Sequence, residues 1–503
     1  MNKELVSKQN LSKIALKSSM YHLLTLFILK FGGLIFTIII ARMLLPELFG
    51  IYALALSIVT IAMVFTDLGI DITFLRYLSD SIGKKRNAKS KSYFLYLIKF
   101  KSFLIFFVIV SLILFSKFIS YNIYQKPLLF YPLIFSCLFI ISESFRGFMG
   151  QVFTAKKDFK TPVFFHAFFQ ISKIVLSILA ILFLTESLKV QGIFIAFFFS
   201  SLFTLALTFF ILLKKDRHIL FGKTEKINKS KINYYWKFMI LTSISVVFFG
   251  SIDMLMLGRF VDAEYLGYYR AAISLVITLA TLFSLSGVFL PIFTQIHGKR
   301  FSRGFHKIFR YMLILFLPAT IGSLFIADYL IKVTYGNEYL LGITSFYLLT
   351  PLIITTPLIE LYSLIFQSKE KPKIVSNAVF ISLLVNIILN SFIIFLFLGN
   401  SLLMMAGVGL ATSLSRIILL GILIVYAKNK FNLGIRDFRL KSPIFATFVM
   451  TLFLIAFNSI LDMNSFLVMM EIILGAGVYF MVLFLAGGLV KEDWELIKSL
   501  LKR

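Results

Sequence analysis

The sequence is poor in cysteine and in charge. Its single cysteine, Cys137, excludes a disulfide within the chain. Only 15% of the 503 residues are charged, whereas 59% are hydrophobic. A soluble domain could not cover its surface with so few polar groups. Acidic residues are scarcer still, with 23 Asp and Glu against 51 Lys and Arg. The composition therefore indicates a basic integral membrane protein.

Motifs for nucleotide hydrolysis, metal binding and nucleophilic catalysis are also missing. The sequence has no G-x-x-x-x-G-K-[ST] phosphate loop. Its five histidines are scattered without a Cys/His ligand spacing, and no Ser/His/Asp spacing is interpretable. The predicted external loops are short, which disfavours a glycosyltransferase with catalytic acids on such a loop. We therefore predict that the protein is not an enzyme and holds no metal or cofactor.

Long apolar stretches are what the sequence does contain. They predict an all-α polytopic membrane protein with about 14 transmembrane helices, each needing roughly 20 residues to cross the hydrocarbon core. The second of these spans is expected over residues 50–75 as one continuous helix. The stretches run continuously apolar and do not alternate at period two, so membrane-spanning strands are not expected.

The basic residues are unevenly distributed between the predicted loops. Clusters such as GKKRNAKSK (83–91) and GKRFSR (298–303) fall on one side of the predicted membrane, and the opposite loops are poor in Lys and Arg. By the positive-inside rule the basic side is cytoplasmic. This predicts a multi-pass protein of the cell membrane with both termini in the cytoplasm. The basic charge is expected to attract anionic membrane lipids and not nucleic acid.

One stretch of the sequence occurs twice. Residues 41–59 read ARMLLPELFGIYALALSIV, and residues 258–276 read GRFVDAEYLGYYRAAISLV. Identical positions in the ungapped alignment include Arg42/Arg259, Glu47/Glu264, Gly50/Gly267 and Tyr52/Tyr269. A repeat within an apolar chain is typical of transporters built from two related halves.

The repeat predicts the domain organisation. We expect an N-terminal lobe over 1–213, a cytoplasmic linker over 214–237 and a C-terminal lobe over 238–427. The remaining residues, 428–503, would form two extra helices and a cytoplasmic tail. The expected architecture is two parallel six-helix lobes around a central cavity, related by an axis along the membrane normal.

Two motif regions carry a resemblance to a known family. The run A-R-x-L-x-P-E-x-F-G-x-Y, with D-L-G-I at 67–70 and R-Y-L at 76–78, resembles the amino-terminal signature of polysaccharide-exporter flippases. These flippases belong to the multidrug/oligosaccharidyl-lipid/polysaccharide exporter superfamily. Residues 251–272, SIDMLMLGRFVDAEYLGYYRAA, resemble the second-half hairpin of the same family.

The resemblance implies a fold, a mechanism and a substrate class. The implied fold is V-shaped with two lobes, and the implied mechanism is alternating access. The implied substrate is an oligosaccharide on a polyprenyl (pyro)phosphate carrier, flipped from the cytoplasmic to the outer leaflet. The implied partners are this lipid-linked oligosaccharide, membrane lipids and glycan-assembly machinery. A cation-coupled multidrug exporter, a peptidoglycan lipid-precursor flippase and a non-transporting membrane scaffold remain alternatives.

Basic residues deep in the predicted spans are candidate substrate-binding groups. Charged groups in the bilayer are costly, which makes them functional candidates by default, and Arg and Lys both suit phosphate. The cavity cation candidates are Arg270, Arg416, Lys30 and Lys173. Arg270 stands where the first repeat has Ala53, and snorkelling to the interface is its structural alternative. An intramembrane ion pair is the structural alternative for the other three.

Acidic residues in the spans are candidate coupling or counter-ion groups. They are Asp67, Asp71, Asp253 and Glu360. Asp67 and Asp71 share a helix face, and a structural charge cluster with Arg76 is one interpretation of them. A proton or cation site at Asp67 is the other. Glu143 and Arg146 have the i, i+3 spacing of a local ion pair.

Overall fold

The computed structural model describes residues 2–281, 293, 298–433, 440–460 and 465–488, and all regular structure in these ranges is helical. The helices are α1 (Asn2–Asp67), α2 (Ile70–Gly83), α3 (Asn87–Lys117), α4 (Phe130–Ala155), α5 (Lys160–Phe183), α6 (Lys189–Lys215), α7 (Arg217–Phe221), α8 (Lys229–Phe260), α9 (Ala263–Thr281), α10 (Gly298–Phe325), α11 (Ala327–Tyr335), α12 (Ile343–Leu349), α13 (Leu352–Ser368), α14 (Pro372–Leu396), α15 (Ser401–Phe431), α16 (Lys441–Ile460) and α17 (Ser465–Leu485).

Many of these helices have the length and composition of membrane spans. In the described ranges ten helices are long and apolar enough to cross a membrane, and a bent pair formed by residues 337–349 and α13 would raise the number to eleven. Continuous apolar runs satisfy their backbone hydrogen bonds within the helix, as a bilayer requires. The prediction of an all-α polytopic membrane protein is confirmed, and the count of 14 remains a prediction.

Helix α1 is kinked where the repeated motif begins. Leu45 has φ 61° and ψ 170°, far from helical values, and Pro46 follows it. Proline lacks the backbone N–H that a continuous helix needs, and its ring crowds the preceding turn. The kink therefore separates the first two predicted spans without a polar loop between them.

The second predicted span is interrupted between α1 and α2. Leu68 and Gly69 have φ values of 43° and 81°, in the left-handed region that only glycine adopts without strain. The Asp67 carboxylate accepts hydrogen bonds from the backbone N–H groups of Gly69 (3.1 Å) and Asp71 (3.0 Å). The prediction of one continuous helix over 50–75 is therefore wrong, because Asp67 ends α1 and caps the start of α2.

The described residues divide into two compact units. One comprises residues 1–270 and 379–408, and the other comprises residues 271–378 and 409–503. The lobe boundaries predicted from the repeat remain a prediction. Each unit has its own hydrophobic cluster: in the first, the rings of Phe74 and Phe148 stack with centroids 4.3 Å apart, and in the second, Met450 and Tyr479 are buried together.

The predicted linker packs against α3 and against the break between α1 and α2. Lys91 Nζ donates to the Gly222 carbonyl at 2.6 Å, and the Tyr96 hydroxyl donates to the Asn233 side chain at 2.9 Å. Trp236, at the start of α8, donates its indole N–H to the Leu68 carbonyl at 2.9 Å. Trp236 thus satisfies a backbone carbonyl that the break between α1 and α2 leaves without a helical partner.

Candidate functional site

Two of the predicted acidic residues share one buried lysine. Lys101 of α3 is 1% exposed, and its Nζ lies 3.1 Å from Asp67 Oδ1 and 2.5 Å from Asp71 Oδ1. The break after Asp67 turns both carboxylates toward the same ammonium. Opposite charges at such distances offset much of the cost of removing each from water. We call Asp67, Asp71 and Lys101 the charge triad.

The charge triad corrects one expectation. Spacing along the chain suggested Arg76 as the base that neutralises Asp67 and Asp71, whereas the structure places Lys101 there. The Arg76 guanidinium instead lies over the Tyr235 ring, 4.1 Å from its centroid. A structural charge cluster therefore exists, with a different cation from the expected one.

A second ion pair, half-buried, lies within α4 and is contacted by α6. Arg146 donates its Nε to Glu143 Oε2 at 2.7 Å and a second guanidinium nitrogen to Glu143 Oε1. The Ser201 hydroxyl donates to the same carboxylate at 2.9 Å. The bidentate pair is the geometry in which Arg binds carboxylate most strongly. The local pair expected from the i, i+3 spacing is confirmed.

Lys173 differs from both of these basic residues. Its ammonium lies 4.3 Å from the centroid of the Phe36 ring, 5.6 Å from Phe197 and 5.8 Å from Phe169. Cation–π contacts at these distances stabilise an ammonium only partly. Within the described part of the chain, Lys173 has no hydrogen-bond acceptor and no carboxylate within ion-pair distance, but Glu143 is close enough to interact with it electrostatically. Lys173 is therefore a candidate cation for an added anion.

Other polar groups share the face of α5 that carries Lys173. His166 and Gln170 precede it at helical spacing, and both lie in α5. The buried Nδ1 of His166 has no hydrogen-bond partner, and His166 is close enough to Glu143 and Arg146 to interact electrostatically. Sequence reasoning missed His166, although the spacing 166, 170, 173 could have revealed this polar face.

Arg270, at the end of the first unit's continuous segment, also has no carboxylate within ion-pair distance among the described residues. Its buried Nε has no hydrogen-bond acceptor among the described residues. The guanidinium lies near Tyr52, close enough for an electrostatic interaction with that hydroxyl. Tyr52 and Tyr269 are equivalent in the repeat, and the residue after each is Ala53 in the first copy and Arg270 in the second. The two copies therefore differ here by the charge of Arg270.

Asp253 accepts hydrogen bonds from two neutral side chains. Its carboxylate accepts from the Tyr269 hydroxyl at 2.8 Å and from Asn390 Nδ2 at 2.9 Å, and the residue is 7% exposed. Neutral donors stabilise the ionised carboxylate without cancelling its charge. Among the ranges described, no group of three His, Cys, Asp or Glu residues could hold a metal ion.

The remaining predicted site residues occupy separate helices. Lys30 lies in α1, and in the second unit Glu360 lies in α13 and Arg416 in α15. All three are half-buried, and each already makes at least one polar, charged or ring contact. Lys173 and Arg270 are therefore the stronger candidates for an added anion.

Several solved membrane-transporter structures have a similar fold. The lipid II flippase MurJ in an inward closed conformation superposes with a TM-score of 0.70 at 18% identity, over 92% of this chain and 97% of that one. An inward-facing multidrug resistance MATE family transporter of the MOP superfamily gives 0.66 at 11% identity, over 82% and 98%. A MOP superfamily transporter from Pyrococcus furiosus gives 0.59 at 12% identity, over 84% and 96%. At these identities the similarity establishes the fold alone.

The family is established by sequence. No curated protein matches the chain. The family described as polysaccharide biosynthesis protein matches residues 39–343, which include both copies of the repeated motif and more than half of the chain. The resemblance carried by these motifs is thereby confirmed, and the chain belongs to the polysaccharide biosynthesis protein family.

Proposed function

We propose that this protein is a flippase that moves a polyprenyl-(pyro)phosphate-linked oligosaccharide from the cytoplasmic to the outer leaflet by alternating access. The family and the transporter fold support export in polysaccharide biosynthesis. The observation that carries the proposal further is the ammonium of Lys173, which lies against three aromatic rings and has no ion-pair partner among the described residues of the first unit. Its substrate would serve the assembly of a surface polysaccharide or glycan in the cell membrane.

The chemistry of Lys173 fits a phosphate-linked substrate. A (pyro)phosphate headgroup is anionic and must pass through a region where lipid cannot solvate it. An ammonium with no carboxylate within ion-pair distance among the described residues can supply the missing counter-charge, and a charged hydrogen bond to phosphate is stronger than a neutral one. The rings of Phe36, Phe169 and Phe197 exclude water around this charge, which strengthens its attraction to an anion.

Arg270 supplies a second cation of the same kind. Its guanidinium is planar and can donate two parallel hydrogen bonds to phosphate oxygens. The equivalent residue of the first repeat is Ala53, so the charge is present in one copy only. We assign Lys173 and Arg270 as the principal headgroup-binding residues, with Lys30 and Arg416 as secondary candidates.

The charge balance disfavours export of cationic drugs. A site for cations needs an acid that no base neutralises, but Asp67 and Asp71 share Lys101, and Glu143 is bound by Arg146. Asp253, which accepts hydrogen bonds from Tyr269 and Asn390, is a further buried acid of this unit that could serve a coupling cation. A peptidoglycan lipid precursor carries the same kind of headgroup. The charge of the site therefore does not distinguish a flippase for oligosaccharide from one for peptidoglycan precursor, and an experiment must do so.

The test is the leaflet distribution of polyprenyl-linked oligosaccharide in cells that lack this protein. We expect the lipid to accumulate in the cytoplasmic leaflet and the wild-type gene to clear it. Lys173→Gln and Arg270→Gln should fail to clear it at equal protein levels. Lys84→Gln, which removes an exposed charge, is the matched control and should clear it.

Either of two outcomes would contradict the proposal. In one, the leaflet distribution is the same with and without the protein, while sensitivity to cationic drugs changes; this would favour the multidrug exporter. In the other, accumulation is confined to lipid-linked peptidoglycan precursor, which would favour the precursor flippase. Full clearance by both Gln variants would leave flipping intact and remove the two residues from headgroup binding.

A further inference from the structure

The two copies of the repeated motif touch each other through equivalent glycines. A Cβ added to Gly50 would lie 1.7 Å from the Ala263 carbonyl oxygen and 2.9 Å from the Gly267 amide nitrogen. A Cβ added to Gly267 would lie 2.2 Å from the Pro46 carbonyl oxygen. Pro46 and Ala263 are themselves equivalent in the repeat. The contact is therefore two-fold related, as in an isologous interface between identical subunits.

The need for glycine at these positions comes from this contact alone. Neither Gly50 nor Gly267 has a φ in the left-handed region, so an alanine could adopt either backbone conformation. Both glycines are buried, and the atoms they approach belong to the backbone of the other copy. Backbone atoms cannot rotate away as a side-chain end can, so any side chain would force the two copies apart.

The contact lies at the end of the helices that is poor in lysine. We call residues 45–50 and 261–267 the hairpin contact. Lys126, from the loop before α4, donates its Nζ to the carbonyls of Gly258 and Val261, both at 2.9 Å. These carbonyls lie at the end of α8 and lack helical partners. Lys126 therefore adds a third contact, between the loop before α4 and the second copy of the motif.

We propose that the hairpin contact is a latch that closes the external end of the protein, and that Gly50 and Gly267 are the positioning residues that let it close. The role in a transport cycle rests on the proposed function, because alternating access requires each end to open in turn. A methyl group at either glycine would then bias the protein toward the state with the external end open.

The test is the labelling of a cysteine beside the contact. Ala53 follows Gly50 by one helical turn on the same face and is 0% exposed. Ala53→Cys is introduced together with Cys137→Ala, which removes the single native thiol. A membrane-impermeant maleimide is added to intact cells and, separately, to inside-out membrane vesicles.

We expect slow labelling with both native glycines and labelling about tenfold faster in Gly50→Ala and Gly267→Ala, since overpacking typically shifts an equilibrium by at least that factor. The increase should be confined to intact cells. Gly33→Ala in α1 and Gly250→Ala in α8 are matched controls, because a Cβ at either position meets nothing within 4 Å. These two variants should label at the native rate.

Equal labelling of all four variants would overturn the latch, and so would an increase confined to inside-out vesicles. If Gly50→Ala fails to accumulate, Lys126→Met provides the same test without added volume, and its labelling should also rise. Labelling requires no substrate. If the glycine variants label faster but the leaflet distribution of lipid-linked oligosaccharide does not change, the latch is supported and the proposed flippase is not. If the leaflet distribution changes but labelling does not, the latch alone is contradicted.

Discussion

The charge triad and the surroundings of Lys173 are two solutions to the same physical problem. Each places a lysine within the helices of the first unit, where an isolated charge is costly. Lys101 meets two carboxylates, at 3.1 and 2.5 Å, whereas Lys173 meets three aromatic rings and no carboxylate among the described residues. The first arrangement is complete within the protein. Under the proposed function, the anionic headgroup of the substrate would complete the second, which would distinguish a structural charge from a binding charge.

Removing the lysine of the charge triad should have the largest effect on stability. Lys101→Met would leave two neighbouring carboxylates without their counter-charge, and breaking a buried pair in this way typically costs about 3–5 kcal/mol. Denaturant titration of the purified protein should show this loss in the free energy of unfolding. Lys84→Met, in an exposed pair with Asp80, is the control and should cost far less, because solvent screens an exposed pair. Equal losses in the two variants would remove the distinction between buried and exposed pairs.

Removing the other lysine should reduce transport and spare stability. Lys173→Gln removes the charge that we propose binds phosphate, and losing a charged hydrogen bond of about 1.5–3 kcal/mol corresponds to a transport rate about 10- to 100-fold lower. The free energy of unfolding should stay the same or rise, because no ion pair is broken. Flipping in proteoliposomes and denaturant titration measure the two effects. Lys173→Arg keeps the charge and should keep most of the transport; a large loss of stability in Lys173→Gln would instead assign the residue a structural role.

Removing the Trp236 hydrogen bond beside the charge triad should have a smaller effect on stability. Trp236→Phe removes the donor to the Leu68 carbonyl at the helix break, and a hydrogen bond of this kind contributes about 1 kcal/mol. Denaturant titration should show that loss, and Tyr131→Phe at an exposed ring should show none. A Trp236→Phe protein as stable as wild type would mean that the break is held by the charge triad alone.

The exposed Asp80–Lys84 pair should give the smallest effect, visible only through pH. The hydrogen bond from Lys84 lowers the pKa of Asp80 below its ordinary value of 3.8. A carboxyl whose pKa is lowered by folding stabilises the fold above its ordinary pKa, and this contribution is lost as the pH falls through the lowered value. Asp80→Asn should therefore differ from wild type in unfolding near neutral pH and match it in strong acid. A difference that grows in acid would contradict this sign.

The fold class was predictable because apolar run length and hydrogen-bond satisfaction in a bilayer leave few alternatives. The repeat at 41–59 and 258–276 also indicated the family, which the match over residues 39–343 confirms. The partner of Asp67 and Asp71 was not predictable, since Lys101 is 30 and more positions away along the chain and its neighbours depend on helix packing. The break at Leu68–Gly69 was hidden for a similar reason: hydropathy stays high across it.

For Lys173, the position in a span was predictable from sequence, but its neighbours were not. Its position in the middle of a predicted span made it a candidate from sequence, because charge at that depth is rare. Whether it has a partner depends on which residues of α1, α4 and α6 face it. The aromatic rings of Phe36 and Phe197 come from two of these helices. Sequence spacing thus finds the charged residues, and packing decides which of them are free to bind.

The most direct test of the account is the affinity of the purified protein for a polyprenyl diphosphate compared with the uncharged polyprenol. We predict that the wild-type protein binds the diphosphate at least about tenfold more tightly. Lys173→Arg should keep this preference and Lys173→Gln should lose most of it. An equal preference in wild type and Lys173→Gln would contradict the assignment of Lys173 as the headgroup-binding cation.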